Sequence, residues 1–342
     1  PWLGQVPGFP EYRFRGTIGA DIAKLPQDLG EVNTDAQGIA TFDLPLSNIN
    51  EPIFEINLAG EGFEKDSGRS VVNVASTLVS RQSSLLGMAA DGSLDYIPKG
   101  SARKLKLLMV GPDFKPKEAA PISAEIFERR FISTLVKRGD GLYAYQSVQR
   151  DEPRGNLPVS LAAGKGELAL PTGNPGRFYV VFKNAQGEEL NRVDYDVAGE
   201  GNVTRNIERN AELNLTLNKK EYQPGEPIEV QIVAPYQGAG LMTIEQNGVV
   251  ASQWFKTNST SSVHRITLPK GVSGNAYLSV AFVRSLDSRE IYMSPLSYGV
   301  VPFAISRQAY QQEVTLDVPE KVQPGHNLEV HYRAKESTKL VI

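Results

Sequence analysis

Hydrophobic and polar residues alternate along much of this chain with a period of two. Leu213, Leu215 and Leu217 are separated by polar residues, and Ile228, Val230 and Ile232 repeat the arrangement. At that period an extended strand turns one face to a core and the other to solvent. Between the two runs Lys219-Lys220-Glu221 breaks the alternation. Tyr222-Gln223-Pro224-Gly225 then supplies a turn, in which proline holds φ and glycine admits a positive φ. The predicted unit is strand, Pro-Gly turn, strand.

The unit recurs. Val314, Leu316 and Val318 alternate ahead of Pro324-Gly325, and Leu328, Val330 and Tyr332 alternate after it. A looser copy runs through Leu94-Asp95-Tyr96-Ile97-Pro98-Lys99-Gly100 into Leu105 and Leu107. Gly100, Gly225 and Gly325 stand 125 and 100 residues apart, too far for a solenoid repeat and suited to a string of small β domains. No stretch of ten or more residues carries a helical period. The expected fold class is all-β, as tandem antiparallel β-sandwich domains of the immunoglobulin or fibronectin type.

Four domains are expected. Residues 1–80 read as a sandwich truncated at its start, with strands at Tyr12–Ile18, Ala40–Leu44, Pro52–Leu58 and Ser70–Val74 and a turn at Asp35–Gly38. Residues 81–200 read as a second sandwich. Its strands are expected at Leu105–Val110, Ile122–Arg130, Phe131–Lys137, Tyr143–Val148, Gly166–Leu170, Gly176–Phe182 and Asn191–Tyr195. Gly139-Asp140-Gly141 is a hairpin signal. Pro112, Pro116, Pro121, Pro153, Pro158 and Pro171 are expected between strands, where a missing N–H costs no ladder bond. A polar linker over 199–211 leads into the third domain, 201–306. Its later strands are expected at Gly240–Glu245, Trp254-Phe255, Val263–Leu268, Ala276–Val283 and Tyr298–Phe303. Residues 307–342 read as the first strands of a further, truncated domain.

Composition removes several function classes. A net charge of −3 offers no electrostatic footprint for nucleic acid or an anionic membrane. The clusters Arg103-Lys104-Lys106, Arg129-Arg130 and Lys137-Arg138 are interleaved with acidic residues and read as solvated strand faces. With no cysteine, the chain has no disulfide, thiolate metal site or thiol nucleophile. No apolar run reaches the ~18 residues of a membrane helix. The chain opens on Pro1-Trp2-Leu3 and stops on Lys339-Leu340-Val341-Ile342 within a strand pattern, so it reads as an excised piece of a longer protein.

Candidate chemistry is sparse. The histidines are His264, His326 and His331. The last two are five apart, an odd spacing that puts them on opposite faces of a strand and argues against a shared metal. Gly164-Lys165-Gly166 and Gly199-Glu200-Gly201 precede no helix and are not phosphate loops. Asn202-Val203-Thr204, Asn214-Leu215-Thr216 and Asn258-Ser259-Thr260 match the glycosylation sequon and read as coincidence. Trp254 reads as a core tryptophan, with an exposed aromatic anchor as the alternative. The linker, which carries Arg205 and Arg209, is a possible protease target as well as a joint. No catalytic, cofactor-binding or metal residue is expected; the chain is not read as an enzyme, and no cofactor is implied.

The run Leu215, Leu217, Lys220, Tyr222, Pro224-Gly225-Glu226, then Val230–Pro235 and Gly240-Leu241-Met242-Thr243-Ile244-Glu245 with Gly248-Val249, is more particular than a generic β repeat. It resembles the opening of the bait-region segment in bacterial alpha-2-macroglobulins. Leu316-Asp317-Val318-Pro319, Val322, Pro324-Gly325, Leu328 and Val330 resemble the next macroglobulin domain of that family. The likeness is specific over 210–342; residues 1–200 fit a looser macroglobulin-domain pattern. The resemblance implies consecutive macroglobulin-like sandwiches in a bacterial envelope protein, periplasmic, with any inner-membrane anchor outside this chain. It implies target proteases as partners, further envelope proteins in a complex for one subgroup, and inhibition by bait cleavage and rearrangement. It also places the thioester motif of thioester-bearing members, and the most bait-like sequence, beyond Ile342. The rival readings from the residues are a tandem immunoglobulin-like adhesive stalk and a strand-augmenting binder with an open sheet edge.

Overall fold

The computed structural model describes residues 6, 8–14, 28–44, 46, 54–63, 69–80, 82–111, 113–118, 121–137, 139, 141, 143–203, 212–288, 293–308, 313–325 and 327–334. No α-helix occurs among them; their strands form β-sheets that are antiparallel apart from one short parallel pairing in each sandwich. The chain divides into two compact units, Pro1–Asn210 with Ser259–Ser262, and Ala211–Asn258 with Val263–Ile342.

In the first unit β1 (Phe54–Phe63) and β2 (Ser70–Val79) make a two-stranded ladder. A sandwich follows, built from β3 (Leu85–Ala90), β4 (Ile97–Pro98), β5 (Lys104–Val110), β6 (Ile122–Lys137), β7 (Tyr143–Val159), β8 (Lys165–Ala169), β9 (Gly176–Lys183) and β10 (Glu189–Ala198). Its sheets have the orders β3-β5-β8 and β4-β10-β9-β6-β7. Leu105, Leu107 and Met109 from the smaller sheet meet Ile122, Ala124, Ile126, Val180 and Phe182 from the larger in one core. The opposite face of β5 is covered as well: Leu108 and Val110 pack with Val6, Tyr12 and Phe14. This explains why β5 reads Leu107-Leu108-Met109-Val110 without a polar interruption, since a strand buried on both faces loses its alternation.

The second unit carries β11 (Asn214–Leu217), β12 (Glu221–Tyr222), β13 (Pro227–Val233), β14 (Gly238–Glu245), β15 (Val249–Thr257), β16 (Ser261–Thr267), β17 (Gly274–Arg284) and β18 (Leu296–Ile305). The sheet orders are β11-β13-β16 and β12-β18-β17-β14-β15. Ile228, Val230 and Ile232 are fully buried, as are Met242, Ile244, Leu278 and Phe282 of the larger sheet. A final ladder pairs β19 (Val314–Asp317) with β20 (His331–Ala334).

Counted in chain order, the two sandwiches share one topology. The first, third and sixth strands form the smaller sheet; the second, eighth, seventh, fourth and fifth form the larger. In both, the short second strand runs parallel to the eighth, with Ile97 opposite Val197 and Glu221 opposite Ala304.

Several sequence expectations are corrected. Ile122–Arg130 and Phe131–Lys137 are one strand, and Tyr143–Val148 extends to Val159, taking in Pro153 and Pro158. Both prolines are tolerated because β7 is the edge of its sheet, and Pro153 also sits at a bulge, where Gly155 and Pro153 face Ile126 and Phe127. Ala40–Leu44 is not a strand but exposed chain after the Asp35 turn, in which Asp35 Oδ1 accepts from the amides of Gln37 and Ile39 at 2.9 and 2.8 Å. Alternation marks a face; it does not supply a partner strand. The last strand is displaced from Leu328–Tyr332 to His331–Ala334, and only Arg13 of the Tyr12–Phe14 stretch makes a bridge, to Met88. Residues 15–18, Ile53, His326 and linker residues 204–211, with Arg205 and Arg209, lie outside the described residues.

Candidate functional site

The recurring Pro-Gly turn is built the same way in both sandwiches. Ser101 N–H donates to Pro98 O and Glu226 N–H to Gln223 O, each at 3.0 Å, closing four-residue turns whose third residue is glycine. Gly100, Gly225 and Gly325 have φ of 76°, 87° and 91°, a region closed to most side chains. A buried tyrosine precedes each of the first two turns, Tyr96 and Tyr222. Tyr222 donates to Asn218 Oδ1 at 2.7 Å and accepts from the Lys219 amide at 3.1 Å, while Asn218 Oδ1 also takes the Glu229 amide. Burial pushes the Tyr222 hydroxyl up to about 12. Glu226 bonds Lys219 and receives the Gln223 amide at 2.9 Å, and these contacts, Lys219 first, hold its carboxyl below the ordinary range.

The outward faces of the two larger sheets differ in kind. In the first sandwich, Asp196, Arg177, Arg129 and Asp151 lie in register across β10, β9, β6 and β7, beside the row Asp194, Tyr179 and Phe127. Tyr179 stacks on Phe127 with centroids 5.0 Å apart and lies under the Arg129 and Arg192 guanidiniums at 5.1 and 4.9 Å. Its hydroxyl donates to Asp151 Oδ2 at 3.0 Å, and burial, aided by that bond, pushes its pKa up to about 12. Arg129 pairs with Asp194 at 3.4 Å, Lys183 with Glu125 at 2.7 Å, and Arg192 with Glu189 at 3.1 Å. Asp196 is pushed up to about 6, mainly by burial, with Asp95 and Asp194 adding to the rise and Arg177 opposing it. Several of the basic residues expected on solvated faces are in ion pairs: Arg103 with Asp91, Lys104 with Glu167, Arg130 with Glu128.

In the second sandwich the equivalent face carries little charge and is apolar over much of its area. Trp254, Leu241, Ala281 and Tyr298 lie in one row across β15, β14, β17 and β18. The flanking rows are Lys256, Ala239, Val283, Leu296 and Ser252, Thr243, Ser279, Val300. Trp254 is 76% exposed and Tyr298 63%. The core placement expected for Trp254 is therefore corrected. Strand alternation gives the inward position to Phe255, which packs against His264 with centroids 4.3 Å apart, and turns Trp254 out. The remaining members of this face were missed in the sequence, although runs such as Tyr298-Gly299-Val300-Val301-Pro302-Phe303 lack the polar positions of a half-solvated strand.

His331 is exposed beside Glu329 at 3.5 Å, and His264 points into the sandwich. Among the described residues no three His, Asp or Glu side chains gather as metal ligands. The sequon asparagines Asn202 and Asn258 are exposed, while Asn214 is half-buried on β11.

Residues 213–342 match the alpha-2-macroglobulin bait region domain family. The whole chain is 42% identical over 343 residues to an alpha-2-macroglobulin homolog of Yersinia pestis, covering 17% of that protein. It is 35% identical over 344 residues to the alpha-2-macroglobulin of Pasteurella multocida strain Pm70, covering all of this chain and 18% of that one. Among solved structures it is similar to the native conformation of Escherichia coli alpha-2-macroglobulin, at 18% identity and a TM-score of 0.46, over 98% of this chain and 22% of that one. The chain spans about a sixth of the length of these curated relatives, 17% and 18%.

Proposed function

The chain belongs to the bacterial alpha-2-macroglobulin family, and from that premise we propose that it is scaffold in a broad-spectrum protease inhibitor that works by bait cleavage and rearrangement. The observation that carries the reading is the repeated sandwich. Two copies of one eight-stranded topology, with a third Pro-Gly turn ahead of β20, make a tandem array, and the second copy lies within the stretch matching the bait region family. Sandwiches joined by short connections are stiff bodies with modest interfaces, so cutting one restraining segment releases a rearrangement of the whole. The chain's part is to position that segment and transmit its cleavage; it contributes no catalytic group. The partners are target proteases and, in a complex, other envelope proteins. The location is the periplasm, with any membrane anchor lying outside these residues, and the domains are 1–80, 81–200, 201–306 and 307–342.

The test uses a protein of the relatives' full length that carries this chain. Treated with a panel of proteases, it is expected to give one early cut outside residues 1–342, mapped by mass spectrometry, with a coincident change in small-angle scattering. Scattered cuts with unchanged dimensions would overturn the reading and favour the adhesive stalk.

A further inference from the structure

The outward face of the larger sheet in the second sandwich is almost free of charge and carries several exposed large apolar side chains. Over the three rows that run from Trp254 to Tyr298 and on either side, Lys256 is the single charged residue, and Glu245 stands in the next row beside Tyr277, where it takes the Thr243 hydroxyl. The equivalent face of the first sandwich, on the same strand order, is laced with ion pairs. The topology therefore does not require an apolar outer face.

The first unit contains a precedent. On the smaller sheet the outer face of β5 is apolar at Leu108 and Val110, and there it is covered by Val6, Tyr12 and Phe14. On the larger sheet of the second sandwich the outward residues of β17 and β18 are bare: Tyr277, Val283, Leu296, Tyr298 and Val300 are all about half exposed or more. A tryptophan or tyrosine side chain offers roughly 150–250 Å² to burial. The face as a whole then presents on the order of 700 Å², above the usual largest patch of a soluble monomer and close to one partner's share of a standard interface.

We infer that this face is the docking surface for another sandwich of the same long polypeptide, which lays an uncharged apolar sheet face on it. Three features select that occupant. The curated relatives are about six times longer than this chain, which spans 17% of the first of them, so they carry much more polypeptide than the chain itself. The face offers almost no charge to pair, and a charged occupant would lose its hydration without compensation. It is also a broad sheet surface, with aromatic ridges at Trp254 and Tyr298 and the small Ala239, Ala281 and Ser279 between them, a relief suited to sheet-on-sheet packing ~10 Å apart. The inference rests on the proposed scaffold role and names the contact through which this sandwich is held in the array.

Hydroxyl-radical footprinting of Trp254 and Tyr298 tests it, comparing the 342-residue chain with a relatives'-length protein that carries it. Labelling of both residues is expected to be roughly fivefold lower in the long protein, the change that follows when exposed side chains enter an interface. Equal labelling in the two would overturn the inference. So would protection in the 342-residue chain alone, because it would place the cover within that chain if independent of concentration, or on a second copy if dependent on it. The result is separable from the protease test: a protected face in a protein that is cut without changing shape would retain the docking surface and remove the trap.

Discussion

Tyr222 does at residue scale what the whole turn needs. Its ring is buried edge-on against Phe303, and its hydroxyl ties Asn218 and Lys219 into the turn that follows β11. Tyr222→Phe keeps the ring and strands the Lys219 amide, so it is expected to cost about 1–2 kcal/mol in denaturant unfolding. Asp196 carries the opposite sign of effect. Its carboxyl holds a proton to about pH 6 in the folded chain, against an ordinary value of 3.8. Between those values the folded state binds more protons than the unfolded one, so this group's contribution to stability falls as pH rises through the window. Asp196→Asn is therefore expected to match the parent below pH 4 and to exceed it by about 1–2 kcal/mol at pH 8, once partial solvation is allowed for. A pH series of unfolding midpoints checks the sign.

Among the elements, the strand–turn–strand unit is where local chemistry and tertiary role coincide. Gly225 has φ of 87°, and a Cβ there would meet Lys270 only at 3.5 Å, so space is available and backbone conformation is the constraint. Gly225→Ala is expected to cost about 1–2 kcal/mol, and Gly225→Asn less, because asparagine tolerates the left-handed region. Urea unfolding of the two variants checks the order; equal costs would point to lost packing instead. The turns were legible because proline and glycine act locally. The lengths of β6 and β7 were not. Residues on both sides of Phe131 belong to one strand because β7 runs beside it from Val159 to Tyr143, and that pairing is a long-range fact. Pro153 and Pro158 look like breaks in the sequence and become strand residues only once β7 is known to be an edge.

For the molecule as a whole, the repeat of Pro-Gly turns in the sequence returned as two sandwiches of identical strand order, and the absence of helical periods returned as an all-β chain. Family membership was also legible, because turn residues and strand alternation at fixed offsets make a specific signature over 213–342. The candidate interface was visible only in part. Trp254 attracted notice for its size, but period two says which residues share a face and not which face is the core. Phe255 takes the inside because His264 of β16, in the opposing sheet, packs against it, and Trp254 is left outside with Tyr298 three strands away across the sheet. What the sequence determined by itself was what local sterics and period decide: strands, turns, the inward aliphatic rows and the repeat. Only the tertiary structure decided strand lengths, edges and the contrast between a charged outer face and an apolar one, because each depends on which distant strand comes to lie alongside.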